Sequence, residues 1–168
     1  MYHSQLTNNR GQTIIEAAVA LSVVVLTLSA ITLAIITSVN NSQFIKDQSL
    51  SSKYAEQGME YIKYMRNNDP VNFSTYAGVH CMNQDNSFLS TSCSVVNIPA
   101  AAPVYKREAE FSANDSQCAQ DSTSGAYGTK VTVTVYFTST KCPLSNTYCH
   151  SSSLISCFST VPTSLKNL

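Results

Sequence analysis

The pattern of apolar and polar positions divides the chain into four segments, and the first two lead into a long helix. Residues 1–11 are polar and contain no apolar run like the core of a secretory signal. From Ile14 to Val39 almost every position is apolar or small, and Glu16 is the only charged residue. A helix of about 20 such residues can cross the apolar core of a bilayer. We therefore predict a transmembrane or assembly helix over residues 12–40.

The next segment keeps a helical period but becomes one-sided. Apolar and small residues recur at spacings of three and four, at Leu50, Tyr54, Gly58, Tyr61, Ile62 and Met65. The run from Asn67 to Pro70 is typical of a helix end. We predict an amphipathic continuation over residues 41–69 and a single helix from about Thr13 to Asn67. The alternative is a separate surface helix that follows a break at residues 40–42.

Beyond Pro70 the pattern changes to the alternation of β-strands. Lys130 to Thr138 is the clearest strand, with Val131, Val133, Val135 and Phe137 on one face. Val104 to Phe111 also alternates, although Arg107 interrupts its inward face. Ser94 to Ile98 and Leu154 to Ser159 are weaker candidates, and residues 112–128 are predicted to be a loop.

The predicted sheet needs a cover for its apolar face, and the one-sided face of the helix is the obvious partner. This arrangement predicts an α+β fold in which a long N-terminal helix packs on a small antiparallel sheet. Residues 70–168 form the β domain of this fold.

All six cysteines follow the apolar segment, at Cys81, Cys93, Cys118, Cys142, Cys149 and Cys157. An even number of cysteines on one side of a membrane span is typical of an oxidising compartment. Many pairings are open, and we favour Cys81 with Cys93, Cys142 with Cys149, and Cys118 with Cys157. This choice follows from the strand order, because a strand that returns after the loop closed by Cys142 and Cys149 brings Cys157 towards Cys118.

Composition and charge narrow the function classes. Lys plus Arg and Asp plus Glu number ten each, so no strong field for a polyanion is present and we expect no nucleic-acid partner. The nine tyrosines lack the basic groove that a stacking surface for nucleic acid needs. With five glycines there is no phosphate-binding loop and no nucleophile elbow, and we predict neither an enzyme nor a cofactor.

Two metal sites are alternatives to this interpretation. The pairs His80–Cys81 and Cys149–His150 could suggest zinc, but the cysteines lack the short paired spacing of structural zinc sites. Asp115 and Asp121 could help to hold calcium, although two carboxylates in a loop rich in Ser and Asn are more often solvated. We therefore predict no metal.

The run from Gly11 to Leu21, GQTIIEAAVAL, resembles the processing and assembly signature of the type IV pilin superfamily, which includes the pseudopilins of type II secretion. The matching features are a polar leader with a basic residue, a glycine, a glutamate at the family's offset, and a long apolar helix directly behind. The resemblance covers residues 1–40 well and residues 55–63 more loosely.

The resemblance implies that a prepilin peptidase cleaves after Gly11, so that residues 1–11 are a leader and Gln12 becomes the mature N-terminus, open to methylation. It also implies an assembly role for Glu16, which would pair with the amino terminus of a neighbouring subunit. The chain would then be a pilin or pseudopilin with a pilin-like fold. It would form a major or a minor subunit of a type IV pilus-like or type II secretion-like filament.

The resemblance also implies the partners and the location. The partners would be the prepilin peptidase, other pilin or pseudopilin subunits, and the inner membrane. The chain would cross the bacterial cytoplasmic membrane once with its C-terminal domain outside, and would reach a filament or the cell surface after assembly.

Glu16 has a physical interpretation without the resemblance. A carboxylate near the end of a transmembrane helix is costly and is usually paired or functional. The alternative is a carboxylate at the membrane interface that only stabilises the helix N-terminus.

A second hypothesis for the whole chain is an uncleaved single-pass membrane protein whose disulfide-bonded ectodomain binds a ligand. The two hypotheses differ at the N-terminus, because only the pilin hypothesis requires a mature chain that begins at Gln12.

Overall fold

The computed structural model describes residues 10–89, 93, 105–119, 127–139 and 141–159. Within them the elements are helices α1 (Arg10–Asn68) and α2 (Pro70–Phe73), and strands β1 (Gly78–Met82), β2 (Phe88–Leu89), β3 (Tyr105–Ala119), β4 (Tyr127–Phe137) and β5 (His150–Phe158). The chain divides into two compact units, residues 1–43 and 44–168. Each unit is described by itself.

Helix α1 continues without interruption through residues 40–42, so the alternative of a separate helix after a break at this point is wrong. Its end lies where the sequence predicts it. The carboxylate of Asp69 caps α2 by accepting a hydrogen bond from the backbone N–H of Asn72 at 3.0 Å, and Pro70 occupies the first turn of α2. Proline suits this position because the first helical residues have no partner for an N–H within the helix.

The described residues of the second unit form a five-stranded antiparallel sheet in the order β2-β1-β3-β4-β5. Strand β4 matches the clearest predicted strand, and β5 matches the weaker prediction from Leu154 to Ser159. The other weak prediction, Ser94 to Ile98, lies outside the described residues. Short strand β1 was not anticipated.

The prediction of a loop over residues 112–128 is wrong at its N-terminal side. Strand β3 continues from Ser112 to Ala119, with register shifts against β4 on either side of Asp115. The polar residues of this extension lack an alternating pattern, so hydrogen bonding to β4 rather than burial keeps them extended.

The core of the second unit lies between the sheet and the C-terminal part of α1, which confirms the predicted α+β arrangement. From the sheet it contains the predicted inward residues of β4, all at most 2% exposed, together with Tyr105, Ala109 and Phe111 of β3. From the helix it contains Ala55, Met59 and Ile62, with Leu50, Tyr54 and Tyr61 packed beside them. Ile62, Leu50, Tyr54 and Tyr61 are on the predicted face; Ala55 and Met59 extend it.

Gly58 allows the helix to approach the sheet closely. A Cβ at this position would lie 3.1 Å from Cδ of Arg107 and 3.1 Å from Cγ1 of Val133. Contacts this short are tighter than most real Cβ contacts, so a side chain here would require Arg107 or Val133 to shift by a few tenths of an ångström.

Candidate functional site: the apolar helix segment and the disulfide-bonded unit

In the first unit the apolar side chains of α1 from Thr13 onward are exposed, with no cover from the described residues. Among the described residues one helix, Thr13–Asn68, is long and apolar enough to cross a membrane, and none of its apolar stretch is buried. Large side chains such as Ile14 and Leu26 are more than two-thirds exposed. Length and composition are therefore compatible with insertion into a membrane as a single pass.

Five of the six hydroxyl groups between Ile14 and Val39 are satisfied within the helix. Each of the five donates to a backbone carbonyl three or four residues earlier at 2.7–3.0 Å, at Ser22, Thr27, Ser29, Thr32 and Thr37. Such bonds remove the need for water at these side chains. These five hydroxyls are therefore compatible with an apolar environment.

The structure places the three predicted processing and assembly residues in the first turns of α1. Gly11 and Gln12 follow directly on Arg10, the first helical residue, and Glu16 lies one turn further on. The side chain of Glu16 is exposed. The ion pairs between described residues join Lys63 to Glu60, Lys106 to Glu108 and Lys130 to Asp115, and none involves Glu16.

All six cysteines are paired, and the pairs are those favoured from the sequence. Cys81 bonds to Cys93, Cys118 to Cys157, and Cys142 to Cys149, with Cα atoms 5.3–5.5 Å apart. The second bond joins the far end of β3 to β5, on the two sides of β4. The third closes the loop between β4 and β5.

The residues of the two metal alternatives have other roles in the structure. The sulfurs of Cys142 and Cys149 lie close to a ring nitrogen of His150, but their disulfide removes both thiolates. The ring of His150 stacks on Phe137, and Nε2 is 3.0 Å from the hydroxyl of Ser139.

Asp115, the first residue of the calcium alternative, forms an ion pair with Lys130 at 2.7 Å. The hydrogen bond from Lys130 and a second one from the backbone of Gln117 lower the pKa of this carboxyl. Asp121, the second residue, lies outside the described residues.

Arg107, which interrupts the predicted apolar face of β3, is fully buried. Its guanidinium donates to the carbonyl of Tyr54 in α1 at 2.9 Å, to the side chain of Asn86 at 2.8 Å, and to the carbonyl of Asn83. Burial lowers the pKa of Arg107 to about 10, against the opposing effect of Asp85, so the group stays charged at neutral pH. One side chain thus holds the helix, the sheet and the turn between β1 and β2 together.

A second polar contact between helix and sheet lies near the start of β3. The hydroxyl of Tyr105 donates to the carboxylate of Asp47 at 3.0 Å, and its ring lies 5.2 Å from that of Tyr54. Burial, followed by the hydrogen bond to Asp47, raises the pKa of Tyr105. These tyrosines have the packing roles that their positions in the pattern indicate.

An open groove of about 850 Å³ runs between α1 and the turn that Arg107 holds. It is lined by Lys53, Glu56, Gln57, Glu60, Tyr61, Tyr64, Gln84 and Asn86. The rings of Tyr61 and Tyr64 are stacked 6.3 Å apart. The lining offers hydrogen bonds and an aromatic surface, and contains no histidine, cysteine or hydroxyl nucleophile of the serine type.

Comparison of the chain with protein family models, curated proteins and solved structures found no match.

Proposed function

We propose that the chain is a structural subunit of an extracytoplasmic filament, of the type IV pilin or type II secretion pseudopilin kind. One observation carries the proposal: an apolar helix exposed on all sides holds a single carboxylate, that of Glu16, in its first turns after Gly11. In lipid the apolar surface is satisfied by acyl chains, and in a filament by the same segment of other copies. The subunit can therefore pass from one environment to the other.

In this proposal a prepilin peptidase removes residues 1–11, and Gln12 becomes the first residue of the helix. The new amino group lies one helical turn from Glu16 and carries the opposite charge. In a neighbouring copy the same amino group would partner the carboxylate of Glu16. The disulfide-bonded second unit then forms the outer surface of the filament.

The mass of the mature chain tests the proposal. The full-length gene product is expressed with a prepilin peptidase, extracted from membranes, and measured intact by mass spectrometry. We expect a chain that begins at Gln12, with or without one added methyl group. Gly11→Leu is expected to leave the precursor uncleaved in the membrane.

A membrane-extracted chain that still begins at Met1 would overturn the proposal and favour the uncleaved single-pass protein. The same result follows if Gly11→Leu gives a mature product of unchanged mass, because cleavage would then not depend on this glycine.

A further inference from the structure

Among the strands that the structure describes, β5 is the long edge strand of the sheet. It pairs with β4 along its whole length, from His150 to Phe158, without a register shift. The strand at the opposite edge, β2, has only two residues. An edge strand presents a row of N–H and C=O groups that can accept a further strand.

The usual protection of a free edge is missing from β5. Natural edges carry charged residues, prolines or bulges that discourage pairing. The nine residues HSSSLISCF contain no Asp, Glu, Lys, Arg or Pro. Ile155, on the outer face of the sheet, is 60% exposed, and Leu154 is 37% exposed. The edge is therefore regular, neutral and partly apolar.

We infer that β5 pairs with β5 of a second copy of this chain. Within the described strands, β1, β3 and β4 have neighbours on both sides, and β2 is too short, so β5 is the one long strand that a second copy can offer. A contact between identical strands is symmetric and antiparallel. No charges of equal sign meet, because β5 carries none.

The symmetric pairing also covers the exposed apolar side chains. Leu154 is the central residue of β5, so an antiparallel pair centred there places Leu154 opposite its counterpart and Ile155 close to its own. A partner with charged side chains would find no ion pair on this strand. Neutrality thus favours a second copy over a charged protein surface.

One strand pair is a small interface compared with the roughly 1,200–2,000 Å² of stable complexes. The contact is therefore weak in dilute solution and becomes significant where a membrane or a polymer keeps copies close together. The inference does not depend on cleavage or on the filament, because it uses only the second unit.

The test compares self-association of full-length variants in detergent by sedimentation equilibrium. Ile155→Lys places two like charges beside each other in the paired strands, and we expect the dissociation constant to rise about tenfold. Val79→Lys is the matched control: Val79 is 58% exposed and lies in the same row of the sheet, on β1. Its self-association should equal that of the wild type.

Charge exchange makes the test specific. A mixture of Ile155→Lys and Ile155→Glu chains should associate more tightly than either variant alone, since opposite charges are then diagonal neighbours across the two strands. If Ile155→Lys associates as tightly as the wild type, association runs through another surface, such as the apolar helix, and the inference is wrong.

Hydrogen exchange of the wild type gives a readout that does not depend on any variant folding. The backbone amides of β5 that face away from β4 should become protected as the protein concentration rises. Protection that is already complete at the lowest concentration would mean that another part of the same chain covers the edge, and would overturn the inference.

Discussion

Replacing Arg107 by methionine is expected to lower the free energy of unfolding of the second unit by about 1.5–6 kcal/mol. The guanidinium is fully buried and, among the described residues, donates hydrogen bonds to three acceptors, the carbonyls of Tyr54 and Asn83 and the side chain of Asn86. Hydrogen bonds from a charged donor are worth roughly 1.5–3 kcal/mol each. Methionine keeps the aliphatic packing but leaves these acceptors without their donor.

The cost of burying the charge offsets part of this gain. The pKa of Arg107 falls from 12.5 to about 10 because burial outweighs the attraction of Asp85, and this shift corresponds to a net penalty of roughly 3 kcal/mol on the charged form, which methionine would not incur. The three hydrogen bonds together contribute about 4.5–9 kcal/mol, so subtracting this penalty leaves a net loss of about 1.5–6 kcal/mol.

Urea unfolding of the full-length protein in detergent, with disulfides intact, measures this difference. The near-ultraviolet circular dichroism of the tyrosines reports on packing, because the rings of Tyr54 and Tyr105 are 5.2 Å apart in the core. Lys106→Met is the matched control, because Lys106 points to the other face of β3 and forms a partly exposed ion pair with Glu108. Lys106→Met should lower the free energy of unfolding by less than about 1 kcal/mol.

The reasoning is refuted if Arg107→Met is as stable as the wild type. Desolvation would then cancel the hydrogen bonds, as it does for some buried charges that apolar residues replace without loss.

Two further predictions concern the second unit. Replacing Cys118 and Cys157 by serine should lower the free energy of unfolding in the same assay by about 4 kcal/mol, whereas removing the disulfide between β4 and β5 should lower it by about 2 kcal/mol. The difference arises because the two bonds close loops of 39 and 7 residues. Equal losses would contradict this entropic reasoning. Asp115→Asn should flatten the acid side of the curve of urea midpoint against pH. In the wild type Lys130 lowers the pKa of the Asp115 carboxyl in the folded state. The ion pair therefore stabilises the fold above the unfolded-state pKa of Asp115, and this stabilisation is lost as the pH falls through the folded-state pKa. The exposed Glu110→Gln is the control on the same strand, and an unchanged acid limb for Asp115→Asn would show that the ion pair does not contribute.

Much of the fold is predictable where burial imposes a period on the sequence. Strand β4 alternates between valines and threonines because one face lies on the core, and the helix from Leu50 to Met65 repeats its apolar residues at spacings of three and four for the same reason. The pairing of Cys118 with Cys157 is predictable from strand order, since β5 returns along β4 and places Cys157 beside Lys130, at the end of the sheet where the chain that holds Cys118 lies.

The features that sequence analysis missed are those with no periodic burial. The extension of β3 after Ser112 is polar on both faces and is held by β4 rather than by a core. Arg107 is an arginine at an inward position, and only the positions of Tyr54 and the turn at Asn86 explain how its charge is satisfied. A buried arginine with carbonyl partners leaves no local pattern, because those partners are distant in sequence.

The proposed assembly role of Glu16 leads to the last prediction: Glu16→Gln should be inserted, cleaved and disulfide-bonded normally but should enter filaments poorly. Glutamine keeps the size and polarity of the side chain and removes the charge. An uncompensated carboxylate costs up to about 3 kcal/mol at membrane depth, so its loss should not impair insertion. Between copies, a carboxylate about 4 Å from an amino terminus gains about 4 kcal/mol at an effective dielectric constant of about 20. Incorporation should therefore fall at least tenfold, roughly the effect of losing 1.4 kcal/mol.

The control is Glu56→Gln, which changes an exposed glutamate in the second unit and should assemble like the wild type. Cleavage and incorporation are measured on the same cells by mass spectrometry and by sheared-filament yield. Normal incorporation of Glu16→Gln would exclude charge pairing, whereas a failure to insert or to be cleaved would make Glu16 a targeting residue.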